Sequence, residues 1–548
     1  MLDDTSALNQ LQRRRHLEQM ATEGVDVLVV GGGATGAGAA LDAAARGLRV
    51  GLVEQRDYAS GTSSRSSKMF HGGLRYLERF DFGLVREALR ERNLMLNRLC
   101  PHLVTPVSFI YPLEHRFWER LYVGAGVLIY EILARMASSP LPWHQHLGRR
   151  RLHRLAPALD AIGGIRYWDA VVDDARHTMT VARTAAAYGA LVASSARVVG
   201  LTKTHERRIA AARVIDLEDG VEITIPTRVI VNATGVWTDD IETLAGDHHV
   251  DVRASKGIHF LVPRDRIASE TGILLRTEVS VLFVIPWGEH WIVGTTDTPW
   301  SLHRAHPAAS RTDIDYLLTW VNTALRSPIS ASDVVGVYAG LRPLLQGETD
   351  ETSRLSREHA VEDHGDGLIS VAGGKYTTYR VMASDAIDAT TAYLGHIPNS
   401  PTADIPLVGA APFTDDRLHN RYGAMADQIG ELAATDPELA RPVVADAPYM
   451  MAELRYAVTH EGALHLDDVL TRRTRLSIET RHRGIDAVRP TARIMGALLG
   501  WDQAAYDREI GHYEARVRAE LDSQAQPDDH TADAARMGAP DVRTGISE

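Results

Sequence analysis

Apolar positions along the chain change period several times, and each change marks an element. Residues 25 to 30 form a nearly continuous apolar run, the pattern of a strand buried on both faces. The run enters Gly31-x-Gly33-x-x-Gly36, an alanine-rich helical pattern follows to Gly47, and a second apolar run ends at Glu54. Strand, glycine turn, helix and strand in this order predict a dinucleotide-binding unit. Gly31 permits the tight turn, Gly33 lets the backbone touch a pyrophosphate, and Gly36 lets helix and strand pack closely. The helix start turns its free N–H groups to the phosphates. Glu54, roughly 20 residues downstream, suits an acid that accepts hydrogen bonds from the adenosine ribose.

Further along, Gly61 to Tyr76 is dense in hydroxyls and glycines but also carries Lys68, His71, Arg75 and Tyr76. A plain loop does not need those side chains among glycines, whereas a segment that approaches a flat ring closely does. Residues 81 to 99 read as a helix ended by Pro101. Residues 116 to 143 join a short apolar run to Arg116, Trp118, Arg120, Arg135 and Trp143. That mixture suits a helix lying in a membrane interface and equally a core helix with charged flanks.

Residues 165 to 245 alternate again, with a helix near Val181 to Tyr188 and strands near Arg197 to Leu201, Arg213 to Leu217 and Val229 to Val231. The last strand ends at Thr234-Gly235, a second place where backbone can approach a cofactor. From Lys256 to Asp297 the signals are those of antiparallel strands, one of them from Ser280 to Pro286. Strand alternation puts Gly257 and His259 on one face, with room above the histidine. Residues 337 to 345 carry Arg342, and residues 368 to 380 run from a strand through Gly373-Gly374 into a helix that Thr377 or Thr378 can cap. Pro398, Pro401, Pro406 and Gly409 mark a linker, after which the chain is helix-rich to about residue 523.

Composition narrows the class. The 548 residues call for two or three domains, and 45% hydrophobic with 24% charged content is ordinary for a globular protein. A formal net charge of -12 argues against nucleic acid as a partner, so any anionic ligand has to be caught by a local basic cluster. The single cysteine, Cys100, rules out an intrachain disulfide and a cysteine-based zinc site. It also fits a reducing, cytoplasmic location. Residues 1 to 24 have no secretory-signal pattern, and no run reaches the roughly 20 apolar residues needed to span a bilayer.

Several motifs together carry a family resemblance: GGGATGAG from Gly31, SSRSSKMFHGGLRYLE from Ser63, KGIHFLVPR from Lys256, GTTDTPW from Gly294, GLRPL from Gly340, GGKYTTYR from Gly373 and RYAVTHEGALHLDDVLTRRTR from Arg455. The chain resembles the FAD-dependent, quinone-linked glycerol-3-phosphate dehydrogenases of the bacterial type over roughly residues 24 to 520. The resemblance implies an α/β, glutathione-reductase-like FAD-binding Rossmann-type domain (24–100, 160–245 and 335–395) with an antiparallel β substrate platform and cap (101–159 and 246–334). It also implies a C-terminal all-α domain (398–523). Residues 1–23 form an N-terminal arm, expected to be a solvated helix, and residues 524–548 read as a disordered tail.

As cofactor the resemblance implies FAD, held by Gly31, Gly33, Gly36, Glu54, Ser63, Ser64, His71, Gly72, Gly73, Leu74, Val198, Thr234, Gly235, Gly374, Lys375, Tyr376 and Thr377. It implies glycerol 3-phosphate as substrate, surrounded by Arg75, Tyr76, His259, Arg342 and Lys375, with His259 and Arg342 catalytic. Only His259 among these has an ordinary pKa, about 6.5, near working pH. The remaining implications are a membrane quinone as acceptor, peripheral contact with the inner membrane face through residues 116–143, no bound metal, and a homodimer as one possible assembly. The calcium-loop spacing of mitochondrial relatives does not occur after residue 400. Cys100 lies outside every motif, which argues against a cysteinyl flavin. Three alternatives stay open: an oxidase using oxygen, a non-catalytic flavoprotein sensing redox state, and a nicotinamide dehydrogenase.

Overall fold

The computed structural model describes residues 4–115, 117–246, 250–278, 281–345, 359–445 and 447–543. Expectations that touch Arg116, Ser280, residues 1–3 of the arm, residues 247–249 and 346–358 within the assigned domains, or residues 544–548 of the tail lie outside them.

Two sheets organise the chain. Among the described residues the first follows the order His359–Asp363, Leu368–Gly373, Glu222–Asn232, Val25–Val30, Val50–Val53, Leu191–Ala193, and every pairing along it is parallel except the first, which is antiparallel. Val25–Val30 sits at its centre because both its faces are covered, which is why the sequence is apolar at consecutive positions. The helix Ala34–Ala45 crosses this strand closely. A Cβ at Gly36 would fall on the carbonyl oxygen of Gly31, so only glycine permits that crossing.

The second sheet has ten strands and is antiparallel apart from one parallel pairing, Gly272–Arg276 beside Val104–Leu113. Its longest pairing joins Val252–Pro263 to Gly336–Leu345, in register Ser255↔Arg342, Gly257↔Gly340 and His259↔Tyr338. Residues two apart share a face, so Ser255, Gly257, His259, Tyr338, Gly340 and Arg342 all stand on one side. The helix Arg311–Asn322 packs on this sheet, and Ile258, Phe260, Val262, Leu317 and Val321 share one buried cluster. The C-terminal helices between Arg417 and Ala525 form a further core around Leu454, Ala457, Val469 and Met495.

Several local expectations need correction. The helix Gln10–Glu23 is not simply solvated: Arg13 is buried, donates to Asp216 Oδ2 at 2.9 Å and reaches the carbonyls of Ser194 and Ser195. Residues 524–543 are ordered rather than a loose tail. The helix Asp529–Arg536 is capped by Asp528, and Asp529 Oδ1 lies 2.5 Å from Lys256 Nζ. Asp541 meets Arg56 at 2.8 Å, and Arg543 meets Asp468 at 3.1 Å. The composition of this segment resembles disorder because its partners are charged groups 75 to 485 residues away. The helix expected near Val181 begins earlier, as Asp174–Ala187. That expected over 81–99 is Phe82–Leu94 with a wider final turn, Met95–Leu99. Thr378 occupies the cap position before Tyr379–Ala389 without making a capping bond. Thr377 Oγ1 instead bonds the carbonyl of His71 at 3.2 Å.

Candidate functional site

Between the two sheets lies a cavity of about 1180 Å³. One end is the glycine turn. The Gly32 N–H donates to Glu54 Oε2 at 2.6 Å and the Arg56 N–H to Oε1 at 2.8 Å. Burial raises the Glu54 pKa, and these two backbone bonds pull it back towards ionisation. Ser63 Oγ accepts the Ala34 N–H, at the start of the helix, at 2.9 Å.

The residues at this end fit FAD. A Cβ on Gly33 would meet only Ser63 Oγ, at 3.2 Å, and one on Gly235 would meet nothing within 4 Å. Both mark open space beside backbone at a helix or 3₁₀ start. Gly235 and Gly374 have φ of 65° and 72°, which favours glycine. The volume exceeds the usual ligand pocket of roughly 300–1,000 Å³, as a dinucleotide with a second small ligand requires.

The same cavity carries cations. Arg75, Tyr76, His259, Arg342 and Lys375 all line the cavity. Lys375 Nζ stands 3.7 Å from the centre of the Tyr76 ring. Arg342 donates to Thr295 Oγ1 at 2.9 Å and to the Thr296 carbonyl at 3.1 Å, so its guanidinium is fixed above Gly257. His259 is stacked on Tyr338 with ring centres 4.8 Å apart and 10° between planes. Burial first, then the charges of Arg342 and Lys68, hold its pKa well below 6.5, so the imidazole is neutral.

Of the expected cofactor residues, Gly31, Gly33, Glu54, Ser63, His71, Gly73, Leu74, Val198, Thr234, Gly235, Gly374, Lys375, Tyr376 and Thr377 line this one cavity. Gly36, Ser64 and Gly72 stand behind the wall. Gly36 serves the helix–strand crossing. The Ser64 carbonyl accepts Lys68 Nζ at 2.9 Å, and the Gly72 N–H donates to Tyr130 Oη at 2.7 Å. The Tyr376 hydroxyl points away from the cavity, to the Asp174 carbonyl at 2.8 Å.

Sequence reasoning passed over Ser67, Tyr338 and Thr295. Tyr338 and Arg342 share strand parity, so alternation could have found the tyrosine. Nothing local singles out Ser67 among the serines around it.

A helix of mixed character borders the cavity. Trp118–Met136 leaves Trp118, Leu121, Tyr122, Ile132 and Met136 exposed, continuous with Phe80 and Phe117, which are 77% and 75% exposed. Phe80, Phe82, Tyr122 and Ile129 also line the cavity, so exposed apolar side chains meet its wall, beside the charged Glu78, Arg276 and Glu278. Among the described residues, no helix is long and apolar enough to cross a membrane.

A parallel sheet entered by a glycine turn, crossed by a cavity that continues onto an antiparallel platform, defines a flavin-dependent oxidoreductase. The family model described as FAD dependent oxidoreductase matches residues 26–380, and that described as the C-terminal domain of alpha-glycerophosphate oxidase matches residues 400–506. The chain is 53% identical to the glycerol-3-phosphate dehydrogenase of Mycobacterium leprae, over 99% of this chain and 96% of that protein. It is 34% identical to the mitochondrial glycerol-3-phosphate dehydrogenase of Mus musculus, over 88% and 72%. Its fold is similar to that of the glycerol-3-phosphate dehydrogenase from Bacillus halodurans, solved in complex with FAD. The TM-score is 0.76 and the identity 27%, covering 92% of this chain and 97% of that one. The chain belongs to the FAD-dependent glycerol-3-phosphate dehydrogenases.

Proposed function

We propose that the chain oxidises sn-glycerol 3-phosphate to dihydroxyacetone phosphate and passes the electrons to a membrane quinone. The observation that carries this reading is that Arg75, Arg342, Lys375 and a neutral His259 line the same cavity that the glycine turn opens. Gly31, Gly33, Ser63, Glu54, Thr234 and Gly235 would hold FAD. Bound FAD supplies the two-electron acceptor that oxidation of a secondary alcohol requires.

The chain's own groups do the rest. Arg75, Arg342 and Lys375 hold the phosphate, each charged hydrogen bond contributing about 1.5–3 kcal/mol. As the C–H and O–H bonds of the carbinol break and the C=O forms, His259 takes the hydroxyl proton. An imidazole kept neutral by burial is ready to accept it, and the incoming phosphate dianion offsets the arginine and lysine charges that oppose the imidazolium. Arg342 stabilises negative charge on the carbinol oxygen. The 3₁₀ turn Tyr376–Thr378 and the helix Tyr379–Ala389, which follow Gly373-Gly374, would offer bound FAD first-turn N–H groups that suit an anionic ring.

The exposed apolar side chains at this wall support the acceptor. A quinone is a lipid-phase molecule, and the exposed aromatic and aliphatic residues of Trp118–Met136, with Phe80 and Phe82, suit shallow insertion into a bilayer from the cytoplasmic side. Turnover of purified protein with glycerol 3-phosphate and a short-chain quinone in air tests this. Quinol forming in step with dihydroxyacetone phosphate supports it. Stoichiometric hydrogen peroxide with the quinone untouched overturns it in favour of an oxidase.

A further inference from the structure

His259 has a single side-chain hydrogen-bond partner among the described residues, and it is Ser67: Oγ lies 2.9 Å from Nε2. Nδ1 is buried without a partner. The ring plane is already fixed by Tyr338 stacked on one face, and Gly294 packs so close that a Cβ there would fall on the ring. How the ring is turned within that plane is then left to Ser67, whose hydroxyl holds Nε2 and so fixes where Nδ1 points.

Ser67 can do this only if its own backbone is held. The next residue, Lys68, has φ of 55°, a left-handed conformation uncommon for a side chain with a Cβ. The turn therefore needs support from outside itself, and Asp174 provides it. Its Oδ2 accepts the Ser66 N–H at 3.0 Å and the Ser66 hydroxyl at 2.7 Å. Its Oδ1 accepts Lys68 Nζ at 2.8 Å and Arg475 Nη2 at 2.7 Å.

Arg475 reaches in from the helical domain and also pairs with Asp173, the cap of the helix Asp174–Ala187. Lys68 is fully buried, bonds the Ser64 carbonyl and lies 4.9 Å from the centre of the Tyr338 ring. Tyr338 Oη donates to the Ser66 carbonyl at 3.0 Å. Every group of the turn on either side of Ser67 is tied down, while the Ser67 hydroxyl reaches His259 at the cavity wall.

We propose that Ser67 is a positioning residue for His259: its hydroxyl, on a turn clamped from the helical domain through Asp174 and Arg475, sets the orientation of the base. The proposal rests on the reading of His259 as that base. The helical domain then does more than pack, since one of its arginines is two hydrogen-bonded groups from the residue that touches the catalytic imidazole.

The test is a double-mutant cycle on the intact protein with flavin bound, read as the rate at which glycerol 3-phosphate bleaches the flavin without oxygen, as a function of pH. Flavin content per chain, from absorbance, reports that site and fold survive. Ser67→Ala is expected to slow bleaching by about 10²-fold, the usual cost of misplacing a reacting group. The half-saturating substrate concentration should change little, and the pH profile should shift. In a His259→Gln background Ser67→Ala should add nothing, because a residue acting through His259 has no further effect once the imidazole is gone.

Ser67→Thr and Ser67→Val, matched in shape, separate the hydroxyl from packing if the alanine variant loses flavin: threonine should restore most of the rate and valine should not. Equal rates for threonine and valine overturn the proposal, as does a fully additive loss in the cycle. So does wild-type rate and pH profile in Ser67→Ala beside a slow His259→Gln. Wild-type bleaching by His259→Gln itself would instead remove the base assignment on which the proposal rests.

Discussion

The flavin cradle and the seam where the helical domain meets it are built from opposite materials. The cradle is backbone and glycine: Gly31, Gly33, Gly36, Gly235 and Gly374 leave room, and one acid, Glu54, ties the turn together. The seam is charge. Asp57 holds Arg472 at 2.5 Å and Arg473 at 2.7 Å, Glu461 holds Arg176 at 2.7 Å, and Asp174 joins Lys68 to Arg475, all nearly or fully buried. A cradle made of absent side chains can receive a large ligand without ordering long side chains around it. A seam made of buried ion pairs fixes one geometry, because removing either partner leaves an uncompensated charge in a dry site.

The largest effect should come from the seam. Asp57→Asn leaves two buried guanidinium groups facing a neutral amide, and denaturant unfolding should show a loss of about 3–5 kcal/mol. The cradle should respond differently. Gly36→Ala puts a methyl against the Gly31 carbonyl, costing about 1–3 kcal/mol by overpacking. Its clearer sign is flavin loss, read as absorbance per chain after gel filtration, because the turn that meets the pyrophosphate has to shift.

Acid should separate the two regions further. His16 and His102 are held down to about 4, and His177 and His306 to about 3, each chiefly by burial. The unfolded chain binds those protons near pH 6.5 while the folded chain refuses them. Stability from these residues is therefore present above about 6.5 and lost as pH falls from there towards 4, by up to about 1.4 kcal/mol per pH unit for each histidine. Asp57 is held down to about 2 because Arg473 and Arg472 outweigh its burial, so its share persists until lower pH. His465 runs the other way. Glu218 and Glu509 outweigh burial and Arg543 and push it up to about 10, so its contribution is full below 6.5 and disappears as pH rises through about 10. Denaturant midpoints followed from pH 4 to 10 should fall at both ends.

The smallest effect marks the limit of the comparison. Glu438 and Arg441 form a 2.8 Å pair with side chains 75% and 68% exposed. Glu438→Ala should move the midpoint by less than about 1 kcal/mol. A larger change would mean that charge stabilises this protein at its surface as well as in its seam.

The same contrast decides what could be read from residues alone. The cradle is local: Gly31 to Glu54 spans one βαβ unit, and its glycines carry their reason in their spacing. Strand parity puts His259 on one face with Gly257, whereas the roles of Arg75, His259, Arg342 and Lys375 follow from the family motifs and not from spacing. The seam was not legible, because Asp57 meets Arg472 and Arg473, and Arg176 meets Glu461, across hundreds of residues. The misread tail has the same cause. Residues 524–543 have little apolar periodicity, but Asp529, Asp541 and Arg543 find charged partners at Lys256, Arg56 and Asp468. Ser67 escaped notice because a serine among serines has no signal until a histidine 192 residues away in the chain is set beside it.

Titrating the flavin-loaded protein anaerobically with glycerol 3-phosphate tests the account most directly, since it joins the glycine cradle to the cations of the same cavity in one observation. The account predicts that the oxidised flavin absorbance bleaches as substrate is added, reaching its end point near one equivalent per bound flavin, and that dihydroxyacetone phosphate appears in the same amount. A spectrum that stays unchanged at saturating glycerol 3-phosphate, in protein that keeps its flavin, would contradict it.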